Sequence, residues 1–397
     1  MARPPTTAAD RARVPMISAA EVLRAPSAHV IDLRTPAEFA EDHLPGAHNL
    51  PLLSDVERAV VGLLYNQNSP EEAFAHGLDR VLDTIDELVV GIGRVADLEI
   101  DGAQVRDRVL ELADGGIAQM QGRLDPTAYR PTEDGATPII LHCWRGGLRS
   151  MSVVALLGRL GVASVTGLEG GYRAYRQVVM EQLEGWSAPQ AVVLRGLTGV
   201  GKTLVLRELE MLRPGSTIDL EGAAGHRSSL LGMVGLEPVS QKAFDTRLAH
   251  RLREPSLASD ALVFEGESRK VGNVIIPPRM WEAMGGATNV LLTAERERRI
   301  DVLLEDYLAR EQDRPHLREQ LAQVERRIQP EASLVEWFDG GEERKLVGVL
   351  LDTYYDPLYR HSEKGKSYQQ TLEADDPRAA AKKIDQWLTE GSLWAQP

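Results

Sequence analysis

The sequence predicts an α/β protein of two consecutive domains, each built around an anion-binding loop between a buried strand and a helix. Residues 137–141 form a continuous apolar run typical of a buried strand, and the apolar spacing over 151–160 is that of a helix. A second apolar run, 190–195, leads through a glycine-rich loop into a helical pattern over 204–211. The length of 397 residues also fits two domains, at about 150 residues each.

The composition is that of an ordinary soluble protein, with 43% hydrophobic and 26% charged residues. No run approaches the roughly 18 apolar residues that a membrane span needs, and residues 1–7 lack the apolar segment of a secretory signal. We therefore expect a cytoplasmic protein with no membrane contact. The formal net charge of −14 argues against non-specific binding of nucleic acid, although it leaves room for a local basic patch.

The first domain is expected to follow a disordered tail, residues 1–13, and to end at residue 184. Ser18 is a suitable N-cap for a short helix within 17–23. Residues 30–33 form the next predicted strand.

An insertion with helical spacing of its apolar residues occupies about 54–136, most clearly over 57–65, 81–89 and 105–112. Connections of this length are uncommon in compact domains and are usually functional. We therefore predict an inserted helical subdomain or lid.

Cys143 is the only cysteine in the chain, and it lies at the turn from strand to helix. Gly146 and Gly147 allow successive backbone N–H groups of this loop to converge on an anion, and the N-terminus of the following helix adds positive potential. Together with Arg145 and Arg149, this setting favours thiolate over thiol. We interpret Cys143 and the two arginines as catalytic, and the two glycines as the anion cradle.

Activation of the thiolate alone is a weak explanation of this loop. A pKa near 6 instead of ~8.5 raises the thiolate fraction at pH 7 about 30-fold, but the accompanying loss of nucleophilicity is about 13-fold. The net gain is about twofold, so the loop is better suited to binding a tetrahedral anion beside the sulfur. A single cysteine also excludes an intramolecular disulfide, and any sulfur or selenium atom that Cys143 acquires must pass to a substrate or to another protein.

Residues 172–176 contain two Tyr-Arg pairs at the start of a predicted helix. This pattern suits either base stacking with phosphate binding or an amphipathic surface helix. Residues 185–189 form the predicted linker to the second domain, 190–397.

The second domain opens with a strand, the motif Gly-x4-Gly-Lys-Thr and a helix, which is the context of a P-loop. The backbone at Gly196, Gly199 and Gly201 can close around phosphate groups. Lys202 can reach the terminal phosphate, and the hydroxyl group of Thr203 can hold Mg²⁺. The P-loop is therefore a predicted diphosphate-binding site.

Two later strands of this domain end in acidic residues, Asp219 and Glu265. A carboxylate at the C-terminal end of a parallel strand faces the phosphate crevice, so both are candidates to hold Mg²⁺ or its waters, Glu265 being the stronger. Arg227 follows a short loop and can clamp a phosphate, although a solvated surface position explains it equally well. Arg296 and Arg299 are weaker phosphate-binding candidates. The sequence identifies no certain metal site and no tightly bound cofactor, and the remaining chain is predicted to be mainly helical.

The first domain resembles the rhodanese domain. Two segments ahead of Cys143 match its signatures, and in that family such residues mostly brace the active-site loop: Asp32, Arg34 and Glu38 in the first, His43, Gly46, Ala47 and Asn49 in the second. The loop itself also matches the Cys-x5-Arg motif of protein tyrosine phosphatases, some of which use a rhodanese fold.

A rhodanese-like α/β domain with a helical insertion, followed by a P-loop NTPase-like α/β domain with a helical C-terminal region, resembles the tRNA 2-selenouridine synthase family. The likeness runs from about Val14 to at least Tyr307 and is most specific at 143–150, at the P-loop and at 219–227. Where family members usually carry Lys, Gly and Phe, the chain has Asn66, Ser228 and Leu231.

The resemblance implies a transferase that acts on the wobble uridine in the anticodon of tRNA. A 2-thiouridine is first S-geranylated from geranyl diphosphate, and selenophosphate then supplies selenium as the geranylthio group leaves. The resemblance assigns Cys143 to the selenium step and assigns the diphosphate to Gly199, Gly201, Lys202 and Thr203. An enzyme that supplies selenophosphate is the implied protein partner.

Three other functions stay open on the sequence alone. A small-molecule kinase with a rhodanese regulator would turn over ATP without tRNA. A rhodanese-fold Cys-x5-Arg phosphatase would release phosphate from a phosphorylated peptide, although it has no use for the P-loop domain. A sulfurtransferase that serves only as a sulfur carrier would hold a persulfide on Cys143 without forming a modified nucleoside.

Overall fold

The computed structural model describes residues 11–24, 27–132, 135–187, 190–227, 229, 231–254, 261–362, 365–391 and 393. It divides the chain into two compact units, Met1–Glu181 and Gln182–Pro397. Residues 1–10 of the predicted tail and residues 188–189 of the predicted linker lie outside the described residues. Each unit is an α/β fold, so the prediction of two α/β domains is confirmed.

Unit 1 contains six strands: β1 (Ala12–Ile17), β2 (His29–Asp32), β3 (His48–Asn49), β4 (Leu124–Ala128), β5 (Ile139–His142) and β6 (Val165–Leu168). They form one parallel sheet in the order β3-β2-β5-β6-β1-β4. Every residue of β5 and β6 is buried, as expected for central strands of a parallel sheet covered on both faces.

The helices of unit 1 are α1 (Ala19–Val22), α2 (Pro36–Glu41), α3 (Asp55–Gln67), α4 (Pro70–Ala96), α5 (Val105–Ala113), α6 (Gly116–Arg123), α7 (Leu148–Arg159) and α8 (Gly171–Gly185), the last of which crosses the boundary between the units. Ser18, Thr35 and Ser54 each form a capping box with a glutamate three residues later, which satisfies backbone N–H groups at the starts of α1, α2 and α3.

Two predicted boundaries in unit 1 are wrong. The tail is too long, because β1 begins at Ala12, which is buried and pairs with Leu124. The helical insertion ends at Arg123 instead of about 136, because the chain then forms β4 at the edge of the sheet. Pro126 disguises this strand in the sequence, and an edge strand is the position in a sheet where proline is tolerated.

The insertion itself is a helical hairpin, α3 and α4, followed by the shorter helices α5 and α6. Helix α4 buries seven residues, and five of them belong to the core of unit 1, including Ile85, Val89 and Ile92. Helix α3 packs on α4 but buries none of its thirteen residues. The insertion therefore contributes to the core through α4 and leaves α3 as an outer cover.

Unit 2 contains β7 (Gln190–Arg195), β8 (Thr217–Ile218), β9 (Ala261–Glu265), β10 (Lys270–Val271), β11 (Val274–Ile275), β12 (Thr288–Thr293) and β13 (Gln370–Glu373). Five strands form a parallel sheet in the order β13-β12-β7-β9-β8, and β10 and β11 form a separate antiparallel pair. The predicted linker overlaps α8, which continues through Gly185.

The helices of unit 2 are α9 (Lys202–Leu212), α10 (Leu220–Ala224), α11 (Gln241–Arg251), α12 (Pro278–Gly285), α13 (Arg296–Tyr307), α14 (Arg314–Ile328), α15 (Leu334–Asp339), α16 (Glu343–Leu350), α17 (Asp356–Ser362) and α18 (Pro377–Glu390), with a 3₁₀ turn at Glu311–Asp313 and a π-helical turn at Leu351–Tyr355. The C-terminal region is mainly helical, but β13 adds an edge strand to the sheet. Within the described ranges, no helix has the length and apolar character that crossing a membrane requires.

Candidate functional site

The cysteine loop, residues 143–147, connects the end of β5 to the start of α7 and packs closely on the turn between β6 and α8. Gly146 has a φ of +61°, and a Cβ atom there would lie 2.5 Å from the carbonyl oxygen of Leu168. A Cβ atom on Gly171 would lie 2.4 Å from the carbonyl oxygen of Cys143. Both positions therefore require glycine. Gly146 holds the loop against its neighbour, and Gly147 lines the adjacent cavity.

The thiol of Cys143 is buried, and its surroundings favour the thiolate. Burial raises the pKa of Cys143, but the positive charge of Arg149, the hydroxyl group of Ser150 and the backbone N–H groups of Arg145 and Ser150 lower it by more. The Sγ atom of Cys143 lies 3.3 Å from the Oγ atom of Ser150. The net result is a lowered pKa of the Cys143 thiol.

The arginine side chains that flank the thiol differ in exposure. Arg145 is exposed and Arg149 is half-buried, and both line the same cavity as Cys143. The structure thus brings together four of the predicted residues around one cavity, Cys143, Arg145 and Gly147 of the loop and Arg149 at the start of α7.

A buried ion pair between Asp32 and Arg34 supports the cysteine loop. Arg34 forms a two-pronged ion pair with Asp32, at 2.6 Å between Nη2 and Oδ2, and its guanidinium group lies 3.8 Å above the ring of Tyr172. The hydroxyl group of Tyr172 donates to Asp42, and the backbone N–H of Tyr172 donates to the carbonyl group of Cys143. The predicted bracing residues Asp32 and Arg34 therefore connect to the cysteine loop through Tyr172.

Tyr172 and Tyr175 are fully buried, so neither can stack on a nucleic acid base. Arg173 on the same helix is exposed. Of the two interpretations of the tyrosine and arginine pairs, the amphipathic helix is the one that the burial supports.

His142, the last residue of β5, is fully buried directly before Cys143. Burial lowers its pKa to about 4, although Asp32, whose Oδ2 atom lies 3.7 Å from Nε2, acts in the opposite direction. His142 is therefore neutral at physiological pH and does not add positive charge to the loop.

A cavity of about 530 Å³ opens beside Cys143 and extends under the helical insertion. Its walls are mostly aliphatic and aromatic side chains of α3 to α7, and its polar lining includes the cysteine loop, Arg58 and Gln121. Because the apolar residues of the insertion show ordinary helical spacing, the sequence did not reveal which of them face a cavity instead of the core.

The P-loop of unit 2 connects β7 to α9, as the motif predicts. Gly196, Gly199 and Gly201 all have positive φ, and Cβ atoms on the first two would lie 2.5 Å from the carbonyl oxygen of Leu292 and 2.7 Å from that of Arg299. Lys202 donates to the carbonyl group of Gly196 at 3.1 Å, folding its side chain back across the loop. The positive φ angles of the three glycines are the backbone geometry that a phosphate-binding loop needs.

Three buried or largely buried glutamates surround Lys202: Glu221, Glu265 and Glu267. Burial lowers the pKa of Lys202, but Tyr359 and these glutamates raise it by more, so the lysine stays charged. Burial and the charge of Glu267 raise the pKa of Glu221 to about 8. Burial and the neighbouring carboxylates also raise the pKa of Glu265 well above its usual range.

Glu265 is the best placed of the predicted acidic residues. Its carboxylate accepts from the hydroxyl group of Thr203 at 3.1 Å and from the backbone N–H of Glu221 at 2.7 Å. Within the part of the chain that the structure describes, no group of three or more His, Cys, Asp or Glu side chains forms a metal site by itself.

The structure gives Asp219 a different role from the predicted one. Its side chain accepts from the backbone N–H of Gly222 at 2.6 Å and caps α10, and it does not line the cavity at the P-loop. The carboxylates that do line this cavity include Glu221 and Glu267, which sequence reasoning missed. Each lies two residues beyond a predicted acidic residue, and this alternation at a strand end is the only signal that could have identified them.

The cavity at the P-loop has a volume of about 690 Å³ and is lined by charged residues of both signs. Arg227, for which the sequence left phosphate binding and a solvated surface position open, lines the cavity, with its guanidinium group 5.0 Å from the ring centre of Tyr307. Arg299 lies behind the loop, where it pairs with Asp356 and donates to the carbonyl group of Thr198 at 2.9 Å. Arg299 therefore positions the P-loop, and Arg296 forms an exposed ion pair with Asp352.

Comparison with known proteins assigns both units. A model of the tRNA 2-selenouridine synthase AAA domain matches residues 189–391, about half of the chain, and a model of the rhodanese-like domain matches residues 18–90. The chain is 31% identical over 382 residues to a tRNA 2-selenouridine synthase of Pseudomonas syringae, covering 89% of this chain and 93% of that one.

Two further relatives carry the same name. The identity is 32% over 370 residues to a protein of Bordetella bronchiseptica, covering 86% of this chain and 89% of the relative. It is 30% over 393 residues to a protein of Cupriavidus pinatubonensis, covering 91% and 95%. The chain belongs to the tRNA 2-selenouridine synthase family.

Proposed function

We propose that the chain replaces the sulfur of a 2-thiouridine at the wobble position of a tRNA anticodon with selenium, through an S-geranyl intermediate. The observation that carries the proposal is that one chain holds a lone thiol of lowered pKa in an arginine-lined loop and a P-loop lysine surrounded by carboxylates. Two anion sites suit two phosphate-bearing substrates, selenophosphate and geranyl diphosphate. The names of the relatives support the nucleoside product.

In the first step, the sulfur of 2-thiouridine attacks the first carbon of geranyl diphosphate and diphosphate leaves. Lys202 and the backbone N–H groups of the P-loop neutralise the charge that develops on the leaving group. The Thr203 hydroxyl group and the Glu265 carboxylate provide oxygen atoms of the kind that Mg²⁺ takes together with water and phosphate oxygens. Bound there, Mg²⁺ would stabilise the departing diphosphate.

In the second step, the selenium atom of selenophosphate attacks carbon 2 of the S-geranylated base, and the carbon–sulfur bond breaks as geranylthiolate leaves and takes up a proton. Water then cleaves the phosphorus–selenium bond, which releases phosphate and leaves selenium on the base. The cysteine loop binds the tetrahedral anion through Arg149, Arg145 and its backbone N–H groups, next to the thiolate of Cys143. An enzyme that makes selenophosphate would be the supplier of this substrate.

The test is nucleoside analysis by mass spectrometry of tRNA incubated with the full chain, geranyl diphosphate and selenophosphate. The wild type should form 2-selenouridine. Cys143→Ser should accumulate S-geranyl-2-thiouridine, and Lys202→Ala should reduce geranylation at least about 100-fold, as loss of a preorganised charge does. Lys382→Ala, which changes an exposed lysine of α18 that does not line the P-loop cavity, is the control.

Two results would contradict the assignment of the steps. If Lys202→Ala left geranylation intact and removed only selenium incorporation, the P-loop would not be the diphosphate site. If Cys143→Ser lost both products, the thiol would not be specific to the second step. Release of phosphate from a phosphorylated peptide, abolished by Cys143→Ser, would instead support the phosphatase that the Cys-x5-Arg spacing allows.

A further inference from the structure

We propose that the cavity beside Cys143 binds the geranyl chain of the S-geranylated nucleoside during the selenium step, with the carbon–sulfur bond at the cysteine loop. The proposal rests on the proposed function, because it assumes that an S-geranyl nucleoside is the substrate at Cys143. It assigns a task to the helical insertion beyond the contribution of α4 to the core.

The chemistry of the cavity walls selects a hydrocarbon chain. Most lining side chains are aliphatic or aromatic and come from all four helices of the insertion and from α7; they include Val61, Phe74, Leu78, Ile85, Leu112 and Met120. A volume of about 530 Å³ lies within the range of about 300–1,000 Å³ that is usual for small-molecule sites. Burial of apolar surface, at about 25 cal/mol per Å², is the interaction that such walls offer.

The polar lining of the cavity determines which hydrocarbon chain fits. Cys143 and Arg145 of the cysteine loop, Arg149 at the start of α7 and Arg58 of α3 all line the cavity, and no described aspartate or glutamate does. A purely apolar ligand would leave these cations without a partner, whereas a chain joined to a nucleotide brings phosphate groups to them. The cavity is therefore complementary to an apolar chain with an anionic head.

Helix α3 indicates that the cavity is incomplete without a ligand. A surface helix is normally stabilised by packing of an apolar face, yet none of the side chains of α3 is buried. Val61 and Tyr65 of α3 line the cavity, and Tyr65 remains 57% exposed. Helix α3 packs on α4, and a bound hydrocarbon chain would bury the part of this face that α4 leaves exposed.

The direct test measures occupancy without catalysis. The chain has one cysteine, so alkylation of the full chain by iodoacetamide reports on Cys143 alone. Geranyl phosphate, which joins the apolar chain to an anionic head, should slow alkylation of the wild type in a saturable manner and at lower concentration than inorganic phosphate does. Val61→Trp, which adds an indole ring to the cavity, should abolish this protection, whereas Val60→Trp on the same helix should not, because Val60 is exposed and does not line the cavity.

A second pair of variants guards against misfolding of α3. Val81 of α4 lines the cavity, while Val90 of the same helix is 57% exposed and does not. Val81→Trp should behave as Val61→Trp does and Val90→Trp as the wild type does, with the thermal unfolding midpoint recorded for all four. Equal protection in the lining variants and in their controls would overturn the proposal.

The functional test uses tRNA that already carries S-geranyl-2-thiouridine, with selenophosphate. Val61→Trp should form 2-selenouridine at least about tenfold more slowly than Val60→Trp, a loss typical of a blocked apolar subsite. If the wild type forms no 2-selenouridine, the proposed function fails, and the alkylation test still decides the cavity. If the wild type forms it and Val61→Trp matches Val60→Trp, the cavity proposal alone fails.

Discussion

The cysteine loop and the P-loop have similar backbone geometry, and they differ in the charged side chains around them. Both connect a buried parallel strand to a helix, and both contain a glycine with positive φ packed against a carbonyl oxygen, Gly146 in one and Gly199 in the other. The cavity at the cysteine loop contains arginine side chains and no described carboxylate. The cavity at the P-loop contains Lys202 and several arginines together with Glu221 and Glu267.

This difference indicates how each site handles an anion. The cysteine loop is cationic by itself and can bind a small oxyanion through protein groups alone. The P-loop holds carboxyl groups with raised pKa values beside its lysine, so an incoming diphosphate must meet them protonated or bridged by a divalent cation. The first site is suited to a small anion next to a thiolate, and the second to a diphosphate accompanied by a cation.

The largest effect is expected from removing Arg149, because its positive charge lowers the pKa of the Cys143 thiol more than any other group does. Arg149→Ala should raise the pKa of Cys143 and slow selenium incorporation about 100-fold or more, because it deletes a preorganised charge at the reacting centre. Geranylation should change much less, because the P-loop does not use this residue. The measurements are the pH dependence of alkylation of Cys143 and the rates of the two steps measured separately.

Arg159→Ala is the matched control for Arg149→Ala. Arg159 lies at the opposite end of α7, where it contacts Glu111 at 3.7 Å and does not line the cavity. An unchanged pKa of the thiol in Arg149→Ala would show that the cationic description of the cysteine loop is wrong.

The next largest expected effect is that the stabilities of unit 1 and unit 2 change with pH in opposite directions. His142 has a folded-state pKa of about 4 against 6.5 when unfolded, so unit 1 should lose stability as the pH falls from 6.5 to 4, by up to about 3 kcal/mol. Glu221 has a folded-state pKa of about 8 against 4.5, so its contribution to unit 2 is complete below pH 4.5 and is lost as the pH rises towards 8.

Native-state hydrogen exchange separates the two units, with amides of β5 reporting on unit 1 and amides of β9 on unit 2. His142→Gln should reduce the loss of stability of unit 1 between pH 6.5 and pH 4. Glu221→Gln should reduce the loss of stability of unit 2 between pH 4.5 and pH 8. The exposed positions His48 and Glu237 offer control variants, His48→Gln and Glu237→Gln. If the stabilities of the two units changed with pH in the same direction, the electrostatic difference that we infer between the two sites would be wrong.

The sequence predicts both loops because each is a local pattern. The strands ending at His142 and Arg195, the glycines and the following helices all lie within about twenty residues, so spacing alone identifies them. The carboxylates of the P-loop cavity are harder to predict from the sequence. Whether Asp219 or Glu221 faces the cavity depends on where α10 begins, and its start at Leu220 makes Asp219 the N-cap. Residue type alone cannot decide this.

The cavity and β4 depend on contacts between distant parts of the chain. The strand β4 exists because Leu124 and its neighbours pair with β1, over a hundred residues earlier. The apolar residues of α4 have the same periodicity whether they face the core, as Val89 does, or the cavity, as Val81 does. The helical insertion could therefore be predicted from the sequence, and its binding surface could not.

The smallest expected effect tests the shared backbone design of the two loops. Gly146→Ala and Gly199→Ala should each reduce the free energy of unfolding of their own unit by about 2 kcal/mol, because a side chain there meets a carbonyl oxygen at positive φ. Gly158→Ala should instead raise it by about 0.5–1 kcal/mol, because this glycine lies within α7 and nothing lies within 4 Å of the added Cβ atom. Urea unfolding followed by hydrogen exchange in each unit measures all three values. If Gly146→Ala were as harmless as Gly158→Ala, the cysteine loop would not need its close approach to the turn at Leu168, and the similarity between the two loops would end at their sequence pattern.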